Sequence, residues 1–584
     1  MTAVARDREM NIAARGSTTV AEVKPGWDEE VDLLIVGSGA AGLTAAVAAA
    51  ERGGKVLVIE KSGEYGGTSA TSGGGIWIPN SHLAAQAGLQ DSEAEAFDYL
   101  RGLSAPNVPD SVIRAYIRRA PEMLKWLEAA TPVRYASLPY PDYHVENPGG
   151  KAGFRTHLPL EFDGRQLGDD VLTLRSASPA ASLFGIVNWN FAETYALLFR
   201  PKGWLRTLAS MLWRYGSDLP HRFRSRKDRR LTLGTALVGG LRCAMNRAGA
   251  PLWLDTALVE LIVEEGRVAG ASVNRRGRTL RIRARRGVLL AAGGFERNAE
   301  LRKQHLAASS DPTTSGSQEN NTGDAILAAA RVGAALRNMH STWSAPVFKA
   351  PGEARSRLST VERALPGSII VNQAGRRYMN EAASYHLVGR EMVAKDRPEA
   401  RTQPSWFVFD STFRRKYPAG PVLPLIPDAL QLPSARKVLN KAPTLEGLAR
   451  RIGVPPEALR STVERFNAGA REGVDTEFGR GGPAYDRMYG DARVQPNPTL
   501  APIVKPPFYA VPIYAGDIGT NGGIVTDEHA QALDARDRPI AGLYAAGNNA
   551  ASVMGESYPG AGATLGPAMT FAYVAARHAM GAND

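Results

Sequence analysis

The chain has one cysteine, Cys243, among 584 residues. A single cysteine excludes an intrachain disulfide framework and any metal cluster built from cysteine alone. It suits a reducing compartment, and the expectation is a cytoplasmic protein. No run of about 18 apolar residues occurs, which argues against a transmembrane helix. The first thirty residues lack the apolar segment that a secretory signal needs, so 1–30 reads as a flexible tail. The nine histidines show no metal-ligand spacing and there is no G-x-S-x-G elbow. Neither a metal nor a hydrolase triad is expected.

An excess of one charge is also missing from most of the chain. The formal net charge is +12, but residues 199–230 hold ten Lys and Arg against two Asp, an excess of eight. The remainder is near neutral, which excludes a broad nucleic-acid surface. Apolar residues make up 44% and charged residues 22%, the balance of a globular protein. The length calls for two domains or more.

What is present begins at Val31. Val31–Val36 (VDLLIV) is a short apolar run of the kind found in buried parallel strands. An Ala-rich helix over Ala40–Arg52 and a second buried strand, Lys55–Glu60, complete a βαβ unit. Between the first strand and the helix lies Gly37-Ser38-Gly39-Ala40-Ala41-Gly42. In such a G-x-G-x-x-G the first glycine permits the turn, the second lets a pyrophosphate approach, and the third lets the helix pack on the strand. The phosphate rests on the free amides of the helix N-terminus. Glu60, at the end of the second strand, suits a ribose hydroxyl. Further on, Leu261–Leu290 reads as a β-meander that ends in the buried strand and glycine turn GVLLAAGGF. Thr444–Ala468 reads as two helices broken by Pro455 and Pro456.

The segment Gly66-Gly67-Thr68-Ser69-Ala70-Thr71-Ser72-Gly73-Gly74-Gly75 offers many backbone donors to a long cofactor. Together with Gly37–Gly42, Glu60, Leu290–Phe295 and Gly542–Asn548 it resembles the FAD-binding framework of the fumarate reductase/succinate dehydrogenase flavoprotein superfamily. The resemblance implies a Rossmann-like α/β FAD-binding domain with an inserted α+β substrate-binding domain. It implies cofactor contacts from Gly37, Ser38, Gly39, Ala40, Ala41, Gly42, Glu60, Lys61, Gly66, Gly67, Thr68, Ser69, Ser72, Gly73, Gly74, Ala292, Gly293, Gly294, Gly547, Asn548 and Gly566. Some relatives attach FAD through a histidine in the glycine-rich segment; here Thr68, Ser69 and Thr71 stand there, so non-covalent FAD is expected. The expected division is 31–103, 231–337 and 509–584 for the FAD domain, 104–230 for a helical and loop insertion, and 338–508 for the substrate domain.

The arginine and histidine clamp of the dicarboxylate relatives is not found. Three tyrosines stand out instead, each in a loop-like context. They are Tyr143 in Pro-Asp-Tyr143, Tyr385 in Gly375-x-Arg377-x-x-Asn380-Glu381-x-x-x-Tyr385, and Tyr558 in Tyr558-Pro-Gly560-x-Gly562. These settings resemble the active-site motifs of bacterial 3-ketosteroid Δ1-dehydrogenases. The resemblance implies that the Tyr558 hydroxyl and Gly562 amide bind the steroid C3 oxygen, stabilising the developing enolate. It implies that Tyr385 takes the C2 proton, assisted by Tyr143, while the C1 hydride passes to the flavin. An ordinary tyrosine has a pKa of about 10, so a base role requires a lowered value or a relay. Tyr378 and Tyr514 read as core or loop residues. The alternatives are a 3-ketosteroid Δ4-(5α)-dehydrogenase, a fumarate-type reductase, and a binding protein that keeps the FAD fold without catalysis.

Ser182–Arg230 adds Trp189, Trp204, Trp213, Phe191, Tyr195 and Phe223 to its basic residues. Such a mixture suits a lipid headgroup interface, and implies peripheral contact with the inner face of the cell membrane, near the entrance for an apolar substrate and a quinone acceptor. A solvated basic face on an internally packed insertion is the competing reading.

Overall fold

The computed structural model describes residues 26–582 except positions 105, 184, 308 and 309. Residues 1–25 of the expected tail lie outside the described residues.

Glu29–Val36 is the central strand of the first sheet. It pairs in parallel with Val56–Ile59 on one side and with Arg278–Leu290 on the other. Leu252–Trp253 continues the sheet beyond Val56–Ile59. On its other edge the strand Arg278–Leu290 serves two further neighbours. Its first half pairs antiparallel with Arg267–Arg275, which pairs with Thr256–Glu264, and its second half pairs in parallel with Pro539–Ala545. Successive side chains of the central strand point to opposite faces. Leu33 and Ile35 enter the core formed with helices Ala40–Glu51, Leu233–Arg247 and Leu565–Ala579. Leu34 and Val36 enter a second core beneath the meander. That is why the strand reads as an unbroken apolar run.

The second sheet is antiparallel. Phe508–Thr520 lies between Thr342–Phe348 and Ser405–Asp410, and Ser368–Val371 follows at the outside. Ile370, Phe407 and Phe409 face one core. Ile369, Val371 and Val408 face the other, under helices Leu445–Ile452 and Pro456–Glu472.

Two expected boundaries move. Phe508–Thr520, assigned from sequence to the last FAD segment at residue 509, belongs to the second sheet, because its whole length is hydrogen-bonded to strands there. Helix Asp110–Ala130, assigned to the insertion, buries Ile113, Tyr116, Leu124 and Leu127 in the first core against Phe571 and Tyr573. The part that projects is the short run of helices Phe191–Phe199, Trp204–Ser217 and Leu219–Arg222.

Candidate active site

The glycine turn follows directly from the central strand. Gly37 has φ +107°, and a Cβ there would lie 2.4 Å from the Ala291 carbonyl oxygen. At Gly42 a Cβ would lie 1.9 Å from the Gly37 oxygen, so no larger residue lets this helix start where it does. The helix has Gly39 as N-cap and no side-chain cap. Its first amide, Ala40 N, donates to Ser69 Oγ at 3.0 Å. Ser38 N and Oγ donate to Glu60 Oε2 at 3.2 and 2.7 Å, and Ser62 N donates to Oε1 at 3.0 Å. The Glu60 carboxylate is thus fixed beside the turn.

The glycine-rich segment folds into a five-residue helix, Gly67–Thr71, with Gly66 at φ +105°. Gly66 N donates to Ser38 Oγ, which ties this segment to the first turn. Thr68 Oγ1 accepts from Asn321 Nδ2 at 3.1 Å, and Ser72 Oγ donates to Ser69 O and accepts from Gly74 N. A Cβ at Gly67 or Gly73 would meet nothing within 4 Å, so polar backbone on this segment faces open space. Open space, a helix N-terminus and an anchored carboxylate fit an extended dinucleotide cofactor. From the far end Asn549 donates to Gly293 O at 2.7 Å and accepts from Ala292 N. Gly547, at φ +65°, approaches Ala41 and Ala568.

Several expected contacts have other employment. The Lys61 ammonium donates to Thr322 Oγ1 and Asp324 Oδ2 at 2.7 and 2.6 Å, on a different element from the glycine cradle. At Gly566 a Cβ would lie 2.7 Å from Trp77 O and the Tyr116 hydroxyl, so this glycine is used for close packing. Gly294 is packed likewise against Thr520 and Glu296. Asn548 Oδ1 accepts from Trp343 Nε1 at 3.1 Å.

The three tyrosines, 173 residues or more apart between the second and third and further between the first and second, converge. The rings of Tyr143 and Tyr385 are 5.6 Å apart, those of Tyr143 and Tyr558 5.5 Å, and those of Tyr385 and Tyr558 5.3 Å. All three are buried. The Tyr143 turn is bolted to the Tyr558 motif by its backbone, with Tyr143 N donating to Pro559 O at 2.9 Å. Asp142, which precedes it, accepts from Trp77 Nε1 at 2.7 Å and from Arg155 Nη1 at 2.9 Å. Tyr385 does not sit in a loop. It opens helix Tyr385–Ala394, because Ser384 caps the helix by accepting from Leu387 N. The motif residues before it form a buried ion cluster, in which Arg377 donates to both Glu381 oxygens at 2.8 and 2.7 Å and to Asp475 at 2.9 and 2.8 Å.

The Tyr558 hydroxyl shares a hydrogen bond with Thr564 Oγ1 at 3.0 Å and is approached by the Gly562 amide. Gly562 has φ +98°. The hydroxyl and the amide therefore lie side by side. Burial pushes the hydroxyls of Tyr143 and Tyr385 well above the ordinary tyrosine value and raises that of Tyr558. For Tyr385 the neighbouring Tyr143 hydroxyl acts in the opposite direction.

Motif reading missed the surrounding wall. Tyr140, Tyr485, Trp343 and His386 make ring contacts with the three tyrosines. Tyr140 bonds Tyr489 hydroxyl to hydroxyl at 3.0 Å. The four-residue spacing of Tyr485 and Tyr489 is the only sequence signal for that pair. His386 Nε2 meets Glu556 O at 2.9 Å, and burial holds its pKa down to about 4. Tyr378 bonds Ser405 in the core of the second sheet.

Comparison with known proteins gives a consistent picture. The family described as FAD binding domain matches residues 32–565. The 3-oxosteroid 1-dehydrogenase of Mycobacterium tuberculosis (strain ATCC 25618 / H37Rv) is 41% identical over 570 residues, covering 94% of this chain and 98% of that one. The 4-oxocyclohexanecarboxylate 2-dehydrogenase of Sinomonas cyclohexanicum is 37% identical over 563 residues, covering 94% and 92%. The crystal structure of 3-ketosteroid delta1-dehydrogenase from Sterolibacterium denitrificans in complex with 1,4-androstadiene-3,17-dione aligns with a TM-score of 0.90 at 44% identity, covering 94% and 99%.

Proposed function

The chain belongs to the 3-ketosteroid Δ1-dehydrogenase family of FAD-binding flavoproteins, and from that premise we propose that it removes hydrogen from C1 and C2 of 3-ketosteroids, holding FAD without a covalent bond. The observation that carries the reading is the meeting of Tyr143, Tyr385 and Tyr558 beside the Gly562 amide. When bound, FAD supplies the acceptor for the hydride that leaves C1. The residues of the chain handle the proton and the charge. Tyr558 and Gly562 donate to the C3 oxygen, and their bonds strengthen as it becomes an enolate. Tyr385 receives the C2 proton, and Tyr143 donates to the Tyr385 oxygen. The buried setting excludes water, which makes these donors worth more than in solvent.

The relative from Sinomonas raises a second substrate class, a small cyclic ketone carrying a carboxylate. The walls argue against it here. The rings packed against the three tyrosines come from Tyr485, Trp343 and His386, and burial keeps His386 uncharged at neutral pH. Such walls suit an apolar ring system better than an anion. Anaerobic mixing with androst-4-ene-3,17-dione tests the proposal. Bleaching of the oxidised flavin band with a 1,4-diene product is expected. No bleaching, followed by bleaching with a saturated 5α-steroid or with 4-oxocyclohexanecarboxylate, would transfer the enzyme to the competing reading.

We further propose that the projecting helices rest on a membrane surface, which would bring the enzyme to an apolar substrate and to a quinone acceptor. Eight of the sixteen exposed large apolar side chains of the described residues fall between Ile186 and Phe223, with Phe223 90% and Trp213 74% exposed. The basic charge contributes less than its count suggests. Arg214, Arg222, Arg224, Lys227, Arg229 and Arg230 are all paired with carboxylates of the same chain. No helix among the described residues is long and apolar enough to cross a membrane.

A further inference from the structure

The tyrosine cluster is backed by a cation that the reaction above does not use. Arg363 is completely buried. Its Nε donates to Ser359 O at 3.1 Å, and its Nη1 donates to Glu381 O at 2.6 Å and to Ala383 O. These bonds hold the backbone just before Tyr385. Its Nη2 has no hydrogen-bond partner, and neither has the buried hydroxyl of Tyr485. Arg363 lies near enough to act on Tyr485 by charge, although the two groups do not meet as a hydrogen bond. The Tyr485 ring lies 4.7 Å from that of Tyr143, which lies 5.6 Å from that of Tyr385.

The other charges nearby are already engaged. Glu381 and Asp475 accept from Arg377, and Glu381 is also approached by Arg480 at 3.4 Å. Arg480 otherwise donates to Ser368 O and Leu365 O. Asp486 accepts from Asn380 Nδ2 and Gly481 N at 2.8 and 2.9 Å. On the far side, Tyr140 and Tyr489 bond each other. Glu362 and Asp486 lie near enough to feel the charge of Arg363, but neither forms an ion pair with it, and a buried guanidinium without a paired carboxylate is costly. A phenol oxygen is a weak acceptor for it while neutral and a strong one when ionised.

We propose that Arg363 is a positioning residue that keeps the tyrosine cluster ionised enough to take the C2 proton, by drawing the negative charge of ionised Tyr385 through Tyr143 toward Tyr485. The inference rests on Tyr385 being the base. With Tyr385 ionised, Tyr143 donates to its oxygen, Tyr485 donates to Tyr143, and Arg363 Nη2 donates to Tyr485. When Tyr385 takes the proton from C2, the cluster returns to neutral hydroxyls. No other bond forms or breaks within it.

The test is the rate of flavin reduction on anaerobic mixing of the holoenzyme with androst-4-ene-3,17-dione, followed from about pH 6 to about pH 10. Arg363→Met should lose on the order of tenfold near neutral pH. Its acid limb should move up by about one pH unit, so that the rate recovers in base. Arg363→Lys should keep a midpoint close to that of the unaltered enzyme. Tyr485→Phe should move the midpoint in the same direction, and the double variant no further than Arg363→Met alone. FAD content and steroid-induced flavin difference spectra should not change. A slower Arg363→Met with an unmoved midpoint would overturn the proposal. If Arg363→Met fails to bind FAD, Tyr485→Phe decides alone, since it leaves the backbone bonds of Arg363 intact, and an unmoved midpoint there overturns the proposal as well. Tyr385→Phe separates the two levels. If it still reduces flavin, the base assignment falls and this inference with it. If it is inactive while Tyr485→Phe keeps the original midpoint, only this inference falls.

Discussion

At Gly562 the backbone stands in the left-handed region, at φ +98°, and a Cβ there would lie 2.4 Å from the Ile76 carbonyl carbon. Two separate constraints therefore demand glycine, one of torsion and one of space. Gly562→Ala should push the amide away from the Tyr558 hydroxyl. Losing one donor to a developing oxyanion costs about a hundredfold or more in kcat. The expected outcome is a loss of that order with the FAD absorbance retained, checked by steady-state kinetics and the visible spectrum. Tyr385 and Tyr143 show the opposite tension. Burial favours their neutral form, yet the chemistry needs a base. The motif around residue 385 points to the proposed base, but whether that tyrosine can ionise depends on its neighbours.

Helices and strands carry their own ionisable residues. His157 lies on the strand Thr156–Pro159, with Ser81 Oγ 2.9 Å from its Nε2, and His386 lies in the first turn of helix Tyr385–Ala394. Burial lowers both from the ordinary histidine value to about 4. Between about pH 6.5 and about pH 4 the unfolded chain binds protons that the folded one does not, so stability falls as pH drops through that window and levels off below it. Denaturant melts taken across the window should show this slope, and His157→Gln should reduce it. Tyr385 depends on its element in another way. The turn before its helix is held by Arg377, Glu381 and Asp475, all at most 3% exposed in their side chains. Arg377→Met leaves Asp475 buried without its cation and Glu381 with only Arg480, at 3.4 Å. Breaking such a cluster costs about 3–5 kcal/mol. The expected result is a lower denaturation midpoint, with partial recovery when Glu381→Gln is added, measured by urea melts of the holoenzyme. Unchanged melts would show that the cluster relaxes into solvent.

For the molecule as a whole, the projecting helices carry the proposed membrane contact. Their basic residues are largely paired internally, whereas their apolar side chains are exposed. Membrane affinity should then depend on buried apolar area more than on lipid charge. In co-sedimentation with vesicles, replacing Trp213 and Phe223 by serine should release the enzyme, while raising salt should release little of it. Release by salt alone would assign the binding to Lys202, Arg206 and Arg226. No sedimentation at all would leave the exposed apolar side chains without a membrane role.

Legibility followed the range of the interactions. The glycine turn, its helix and the acid at residue 60 were readable because each depends on neighbours within a few positions. Gly42 packs on Gly37 for a reason contained in one βαβ unit, and the turn at Gly37 needs only its own positive φ. The three motif tyrosines could be named from short sequence patterns and the family they resemble. Tyr140, Tyr485, Trp343 and His386 could not, since no local rule links residues that touch only after two sheets and their loops have packed. The strand Phe508–Thr520 was misassigned for the same reason, because its partners lie 98 residues or more away in sequence apart from Asn440–Ala442. Local torsion and patterning thus determined the cofactor framework from the sequence itself. Tertiary structure alone decided which aromatic rings enclose the three tyrosines and which buried cation stands behind them, because burial and charge at a site are summed over the whole fold.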